Sequence, residues 1–574
     1  MKLMLQYMRR RLGRIISGMT VKVIAAFLEL LIPYVLEYII DDLAPRGELA
    51  PVIAWGVVMA GLALAVRQGN IFANQSAVEV SQDCTRQLRQ DLFQRTMTLS
   101  GNQADRFGLP SLISRMTSDS YNVQQFITSS QTVGVRAPIM LVGGVCVALT
   151  MDWALASILC VLAPVLTCIV IMVSRKGIPL YDGVQREVDE MTRVMRENVT
   201  GVRVVKALRK EAYEERRFQE VNHRLTRSDL KASAVMAIPA PAVQMFLNLG
   251  LILVVLAGAK RVDGGLTEPG VILAFLIYFN LILHSAMSFN RIFILLSKAT
   301  ASASRIAEVL QTPEDQPVLP LTAERRKEDG AFLEFDHVSF THAGEAAEKC
   351  LDSVSFRVKR GETLGIIGAT GAGKSTIIRL FMRFYDAQEG AVYVDGRDVR
   401  TYEKQALREK FGAAFQNDVI FAESLRENIA LGRPLTDEEV CRAAEDALAA
   451  DFIAEKPGGY DYAADIKGAN PSGGQKQRIC IARALAAKPE ILILDDAASA
   501  LDYRTDAKLR QVLRERYSGA TAVIVAQRVS SIMGADQILV LDEGRVIGCG
   551  THEALLESCE TYREVYQSQM GELA

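Results

Sequence analysis

The sequence predicts two parts in series: a multi-pass α-helical membrane domain with six transmembrane helices and long cytoplasmic extensions, followed by a soluble α/β domain. Three observations predict it. Apolar stretches long enough to cross a bilayer recur only in the first half of the chain. The connections between them alternate between short and long, and the long ones are rich in Arg and Lys. Beyond residue 311 the apolar runs shorten to strand length and alternate with amphipathic helices. Composition agrees, since 49% hydrophobic and 23% charged residues over 574 positions suit a membrane part joined to a soluble one, with mean hydropathy +0.14. A net charge of −2 lacks the basic excess of a nucleic-acid binder, so no nucleic-acid partner is expected. The nine cysteines form no C-x-x-C pair and no metal spacing, and read as small buried hydrophobes.

Residues 1–14 carry Lys2, Arg9, Arg10, Arg11 and Arg14 beside Met4, Met8 and Leu12, the pattern of an amphipathic helix lying on the cytoplasmic face of the lipid bilayer. No small-residue cleavage site follows, so the first apolar run is expected to stay as a span. Within a membrane domain at 1–310, the spans are expected at about 15–40, 51–75, 133–151, 153–174, 236–259 and 269–290. The first tolerates Lys22, Glu29 and Glu37; the fourth is free of charge; the fifth holds Pro239 and Pro241. The short connections are 41–50, the turn at Asp152, and 260–268, whereas 76–132 and 176–231 are long and basic, with Arg86, Arg89, Arg203 and Lys206 among their cations. That asymmetry puts both termini in the cytoplasm, in a plasma membrane, with a bacterial one favoured. Residues 311–330, with three prolines and a charge run, read as a linker to the soluble domain at 331–574. Strands are expected at Phe332–Phe340, Thr363–Ile367, Ala391–Val394, Ile491–Leu494, Ala522–Val525 and Ile538–Leu541.

The soluble domain carries chemistry. Gly368-Ala-Thr-Gly-Ala-Gly-Lys-Ser-Thr376 follows an apolar strand and precedes the helical run Ile377–Phe384, the strand–loop–helix setting of a P-loop. Gly368, Gly371 and Gly373 let the backbone curl so that N–H groups point at phosphate oxygens of ATP, and the helix N-terminus adds its dipole. Lys374 is expected to neutralise the β/γ-phosphates, Ser375 to ligate Mg²⁺, and Thr376 to complete the phosphate-binding turn. Asp495, at the tip of the apolar strand Ile491–Leu494 about 120 residues later, stands where a P-loop ATPase holds Mg²⁺.

Pro471-Ser-Gly-Gly-Gln475, followed by Lys476-Gln-Arg478 and an apolar helix, lies between these two elements. Ser-Gly-Gly-Gln in that place resembles the signature of the ATP-binding cassette (ABC) proteins, and the resemblance extends over essentially the whole chain. Gln416 resembles the family's Q-loop glutamine, which senses Mg²⁺; Ser499–Asp502 resembles the D-loop, ending on Asp502; and Glu197–Glu211 resembles the second cytoplasmic loop with its short coupling helix. Six spans followed by one cassette is the order of half-transporters with the exporter fold. The resemblance implies a dimer in which Ser472, Gly473, Gly474 and Gln475 contact the ATP held by a second half-transporter.

Three positions depart from the family pattern, all on this chain's own P-loop side. The catalytic glutamate expected after Asp495 is Asp496, whose carboxylate is drawn back by about 1.5 Å, one C–C bond. The switch histidine expected after Ala522–Val525 is Gln527; the five histidines, His223, His284, His337, His342 and His552, lie elsewhere. The adenine-stacking tyrosine is His342. The resulting expectation is the slow-site subunit of a heterodimeric exporter of amphipathic drugs, lipids or peptides, its partner carrying the glutamate and histidine. The alternatives are a homodimer with slow ATPase, an importer on the exporter fold as in siderophore uptake, and an ATP-gated channel or regulatory subunit. Glu29, Asn248, Asn280 and His284 are candidates for the transport path, because polar groups at membrane depth are costly; for Glu29 a plain ion pair with Arg67 or Arg136 is the competing reading.

Overall fold

The computed structural model describes residues 2–321, 330–342, 349–416, 419–465 and 471–570; the part of the expected linker at 322–329 lies outside them. The chain divides into two compact units, Met1–Met97 with Pro110–Thr312, and Thr98–Leu109 with Pro313–Ala574.

The first unit is helical throughout. Its helices are α1 (Lys2–Arg9), α2 (Leu12–Tyr38) and α3 (Leu49–Met97). The segment Gly101–Phe107 that follows forms α4, which belongs to the other unit. Next come α5 (Leu109–Ser114), α6 (Ser120–Gln131), α7 (Val133–Met151) and α8 (Trp153–Thr200). The series ends with α9 (Val202–Ala207), α10 (Glu211–Ala237), α11 (Pro239–Asp263) and α12 (Pro269–Gln311). Among the described residues, four stretches are long and apolar enough to cross a membrane by length and composition: Leu12–Arg46, Leu49–Met97, Leu109–Met151 and Glu211–Asp263. Shorter apolar runs, Trp153–Leu162 and Pro269–Ile282, open α8 and α12. At 49 residues, α3 is about 70 Å long, more than twice the ~30 Å hydrocarbon thickness.

Two sequence expectations shift here. The first amphipathic helix stops at Arg9, and Arg11 leaves helical geometry (φ −120°, ψ 20°) before α2 begins. The helix at the expected fifth span begins at Pro239, because proline has no N–H to give and suits the first helical position. Large side chains such as Ile24, Phe27, Ile53, Val57, Leu253 and Leu256 are exposed on α2, α3 and α11, as surfaces facing hydrocarbon require. The interior packs Ala26, Leu30, Met140, Leu159, Tyr278 and Phe279. The Tyr278 hydroxyl donates to the Leu30 carbonyl at 2.6 Å, so this apolar core leaves its one phenol paired.

Among its described residues, the second unit holds ten strands. They are β1 (Ala331–Phe340), β2 (Leu351–Lys359), β3 (Thr363–Gly368), β4 (Glu389–Val394), β5 (Arg397–Asp398), β6 (Phe411–Ala414), β7 (Ile491–Asp495), β8 (Thr521–Val525), β9 (Gln537–Asp542) and β10 (Arg545–Gly550). An antiparallel sheet runs β2-β1-β4-β5, and a six-stranded sheet runs β10-β9-β3-β8-β7-β6 with β9-β3-β8-β7-β6 parallel. The parallel strands are buried on both faces, which is why they read as unbroken apolar runs. The carboxyl ends of β3, β7 and β8 lie side by side, so the loops after them share one edge.

Within this unit α4 is seated on the loop after Phe381. Ser100 caps α4 in a reciprocal capping box with Gln103. Ser100 Oγ donates to Asp315 at 2.7 Å, and the Tyr385 hydroxyl donates to Asp105 at 2.7 Å.

Candidate nucleotide site

The site is built on the ends of β3, β7 and β8. After β3 the chain turns through Gly368, Gly371 and Gly373, the last two at φ +88° and +94°, a region where side chains are disfavoured. Gly373 is also pressed against the Cys350 carbonyl, which a Cβ would meet at 2.6 Å. The helix Lys374–Phe381 starts immediately afterwards and buries Thr376 in its first turn. The Lys374 ammonium arches back over the loop, donating to the Gly368 and Ala369 carbonyls at 2.8 and 2.7 Å. A phosphate occupying the loop would receive those N–H groups in their place.

At the end of β7, Ser375 Oγ donates to Asp495 at 3.2 Å. This hydroxyl and carboxylate are the hard oxygen donors that suit Mg²⁺. So the residues present fit MgATP, and the metal when bound would neutralise phosphate charge there. Asp496 follows with φ +51°, an αL conformation that aspartate tolerates better than most residues. Its Oδ2 accepts from both flanking amides, Gln416 Nε2 at 3.1 Å and Gln527 Nε2 at 2.8 Å. Thus the residues expected at the Q-loop, catalytic and switch positions form one cluster, with two neutral amides on one carboxylate oxygen. Gln527 is held in turn by a residue that sequence reading missed. Gln569, on the helix Glu560–Met570, donates to the Gln527 carbonyl at 2.9 Å and accepts from Val529 N–H at 2.8 Å.

Burial pushes both carboxyls above the usual aspartate range, and for Asp496 the negative charge of Asp495 adds to it. Burial also lowers Lys374, against the pull of the two carboxylates. Metal binding requires the ionised carboxylate and displaces its proton. MgATP affinity is therefore expected to fall as pH drops through a value above the ordinary aspartate pKa of about 3.9, by up to roughly tenfold per pH unit. Titrating a fluorescent ATP analogue with Mg²⁺ across pH checks this; a flat affinity down to the ordinary aspartate range would contradict it.

His342 lies edge-on to Phe340 and Tyr385, with centroids 4.9 and 5.1 Å apart. The residue expected to stack on adenine thus touches Tyr385, the residue that holds Asp105. The signature turn is preorganised: Ser472 is the N-cap of the helix Gly473–Ala486, its N–H donates to Gln475 Oε1 at 3.0 Å, and its Oγ accepts from Gln475 N–H. Ser472 and Gly473 remain exposed. Gln477, one turn on, accepts from Ala500 N–H at 3.1 Å and donates to Ser499 Oγ at 3.4 Å. The expected signature helix and D-loop segment are thus hydrogen-bonded to each other. Asp502 caps the next helix, Tyr503–Arg516, through Thr505 N–H at 2.9 Å.

The proposed path residues in the first unit make local bonds. Glu29 takes a two-point ion pair from Arg136 at 2.7 and 3.1 Å. Asn280 donates to the Leu276 carbonyl at 2.9 Å, Asn248 accepts from Gln244 at 3.5 Å, and His284 is exposed. The short helix α9 falls inside the predicted second cytoplasmic loop and buries none of its residues within the chain.

Comparison with known proteins agrees with this geometry. The family described as ABC transporter transmembrane region matches residues 15–287, and the family described as ABC transporter matches residues 351–499. The uncharacterized ABC transporter ATP-binding protein YfiB of Bacillus subtilis is 35% identical over 95% of this chain and 94% of its own length. A multidrug efflux ATP-binding/permease protein of Mycobacterium tuberculosis is 32% identical over 97% of this chain and 46% of its own. A bacterial Atm1-family ABC exporter with ATP bound superposes with TM-score 0.81 at 25% identity, covering 97% of this chain and 99% of that one.

Proposed function

This chain belongs to the ABC transporter family, as an exporter-fold half whose cassette is an ATPase coupled to transport, and we propose that it is the slow-site subunit of a heterodimeric exporter. One observation carries the reading: the carboxylate placed to activate water is an aspartate clamped by two amides, Gln416 and Gln527. Neither amide can take up a proton at neutral pH. The signature turn, in contrast, is capped and presented. Such a chain holds ATP at its own P-loop, hydrolyses it slowly, and completes the faster site of a partner with intact glutamate and histidine. Six spans, cytoplasmic termini, the domain limits 1–310 and 331–574, and a bacterial plasma membrane belong to the same proposal. Its cargo is proposed to be amphipathic, since the long helices expose and enclose mainly aliphatic side chains.

The test is ATPase activity of the co-purified complex. Replacing the partner's catalytic glutamate with Gln should abolish turnover, whereas Asp496→Asn in this chain should change it less than about threefold, aspartate contributing little as a base when retracted. A chain that purifies as a homodimer and loses its turnover on Asp496→Asn would overturn the heterodimer.

A further inference from the structure

Lys22 is 5% exposed and lies about 15 Å, at 1.5 Å per residue, into the apolar stretch Leu12–Arg46. Its ammonium donates to two neutral oxygens of α3, Asn70 Oδ1 at 2.7 Å and Asn74 Oδ1 at 3.1 Å. Among the described residues no carboxylate pairs with it. The charged groups that bear on it are Arg136 and Glu29, and these two are already joined to each other through Arg136 Nε and Nη2. Two cations and one anion leave one positive charge uncompensated. Buried charge at membrane depth is retained only when something pairs it or uses it.

The same Lys22 and Arg136 line a cavity of about 420 Å³ between α2, α3, α6, α7 and α12, within the range of small-molecule sites, about 300–1,000 Å³. Thr132, Ser285 and Ser288 on its wall spend their hydroxyl protons on backbone carbonyls one turn back. Among the described residues, the donors left over for a ligand are therefore the third N–H of Lys22 and the Nη1 group of Arg136, both cationic, and the neutral Nδ2 amide of Asn74. Val78, Val133 and Ala137 supply an apolar flank.

We infer that this cavity is a binding site for the anionic head group, phosphate or carboxylate, of a single-charged amphiphile, with Lys22 as its counter-ion and Arg136 as second donor. The site deepens the exporter reading by naming a cargo class, yet it is scored by equilibrium binding, so a failure to transport would not count against it. A bilayer lipid and a freely diffusing amphiphile both carry such a head group; the chemistry recognised is the same.

The experiment uses the full chain in phosphatidylcholine nanodiscs and compares dodecyl phosphate with dodecylphosphocholine, which shares the tail and lacks net charge. Wild type should bind dodecyl phosphate about tenfold or more tightly, as a charge-assisted hydrogen bond warrants. Lys22→Gln keeps an amide donor towards Asn70 and Asn74, and Asn74→Asp installs a counter-ion beside the ammonium. Both should bring the two ligands within about twofold of each other. The Asp variant adds an ion pair, so its loss of binding would not be a folding defect. Equal affinities in wild type, or an undiminished preference in both variants, would overturn the inference. Doping the discs with phosphatidylglycerol assigns the source: competition identifies a lipid head group, and its absence a free amphiphile.

Discussion

Gly474→Asp is expected to lower ATP turnover of the assembled transporter by about a hundredfold or more, while leaving nucleotide binding at this chain's own P-loop unchanged. The size follows from charge and geometry. Helix N-termini attract phosphate through unpaired N–H groups and the dipole, and removing one preorganised donor of this kind typically costs about 10²–10³ in rate. Aspartate at 474 puts a negative charge at that terminus. Its Cβ would also stand 3.1 Å from the Ala500 carbonyl, forcing the D-loop that Gln477 ties to the same helix. Steady-state ATPase of the complex reads the loss, and fluorescent-nucleotide binding by the chain alone reads the spared P-loop. Turnover within about threefold of wild type would remove the signature from the reaction.

Much of this site was legible because its chemistry is local. The P-loop, the Asp495 strand and the capping pair Ser472/Gln475 each occupy a few consecutive residues, and the predicted strands at β1, β3, β4, β7, β8 and β9 are all present. β2 was missed although Leu351–Lys359 alternates buried and exposed positions, the period-2 pattern of a half-covered strand. Other features are long-range and leave no local trace. Nothing near Gln569 announces that it holds the switch loop 42 positions earlier. The Tyr385 hydroxyl that seats α4 lies 280 positions from its acceptor Asp105. Glu29 had two possible arginine partners in sequence, and packing selected Arg136. Lys22 read as a tolerated charge; its burial without a counter-ion emerges only when α2 and α3 are packed together.

In a complex whose partner's catalytic glutamate is replaced by Gln, the double variant Asp496→Glu, Gln527→His is expected to raise the ATPase rate by about a hundredfold, the factor that a misplacement of about 1 Å costs. In the present structure Gln416 and Gln527 both donate to Oδ2 of Asp496. The carboxylate is thus satisfied by protein and set back by one methylene from where a longer side chain would reach. Burial and Asp495 raise its proton affinity, so base strength is not what is lacking. Reach is lacking, and so is a neighbour able to carry charge. Glutamate supplies about 1.5 Å of reach, and imidazole replaces an amide that cannot be protonated. The gain has a cost in the fold, because position 496 sits at φ +51°, where glutamate is less at ease than aspartate by roughly 1 kcal/mol. A slightly lower melting temperature together with faster turnover is therefore the expected signature of the double variant. Each single variant should recover only part of the rate, since a water must be both polarised and stabilised as it attacks. Unchanged turnover with unchanged MgATP affinity would move the limit away from Asp496 and Gln527, to His342 or to the closure of the dimer itself.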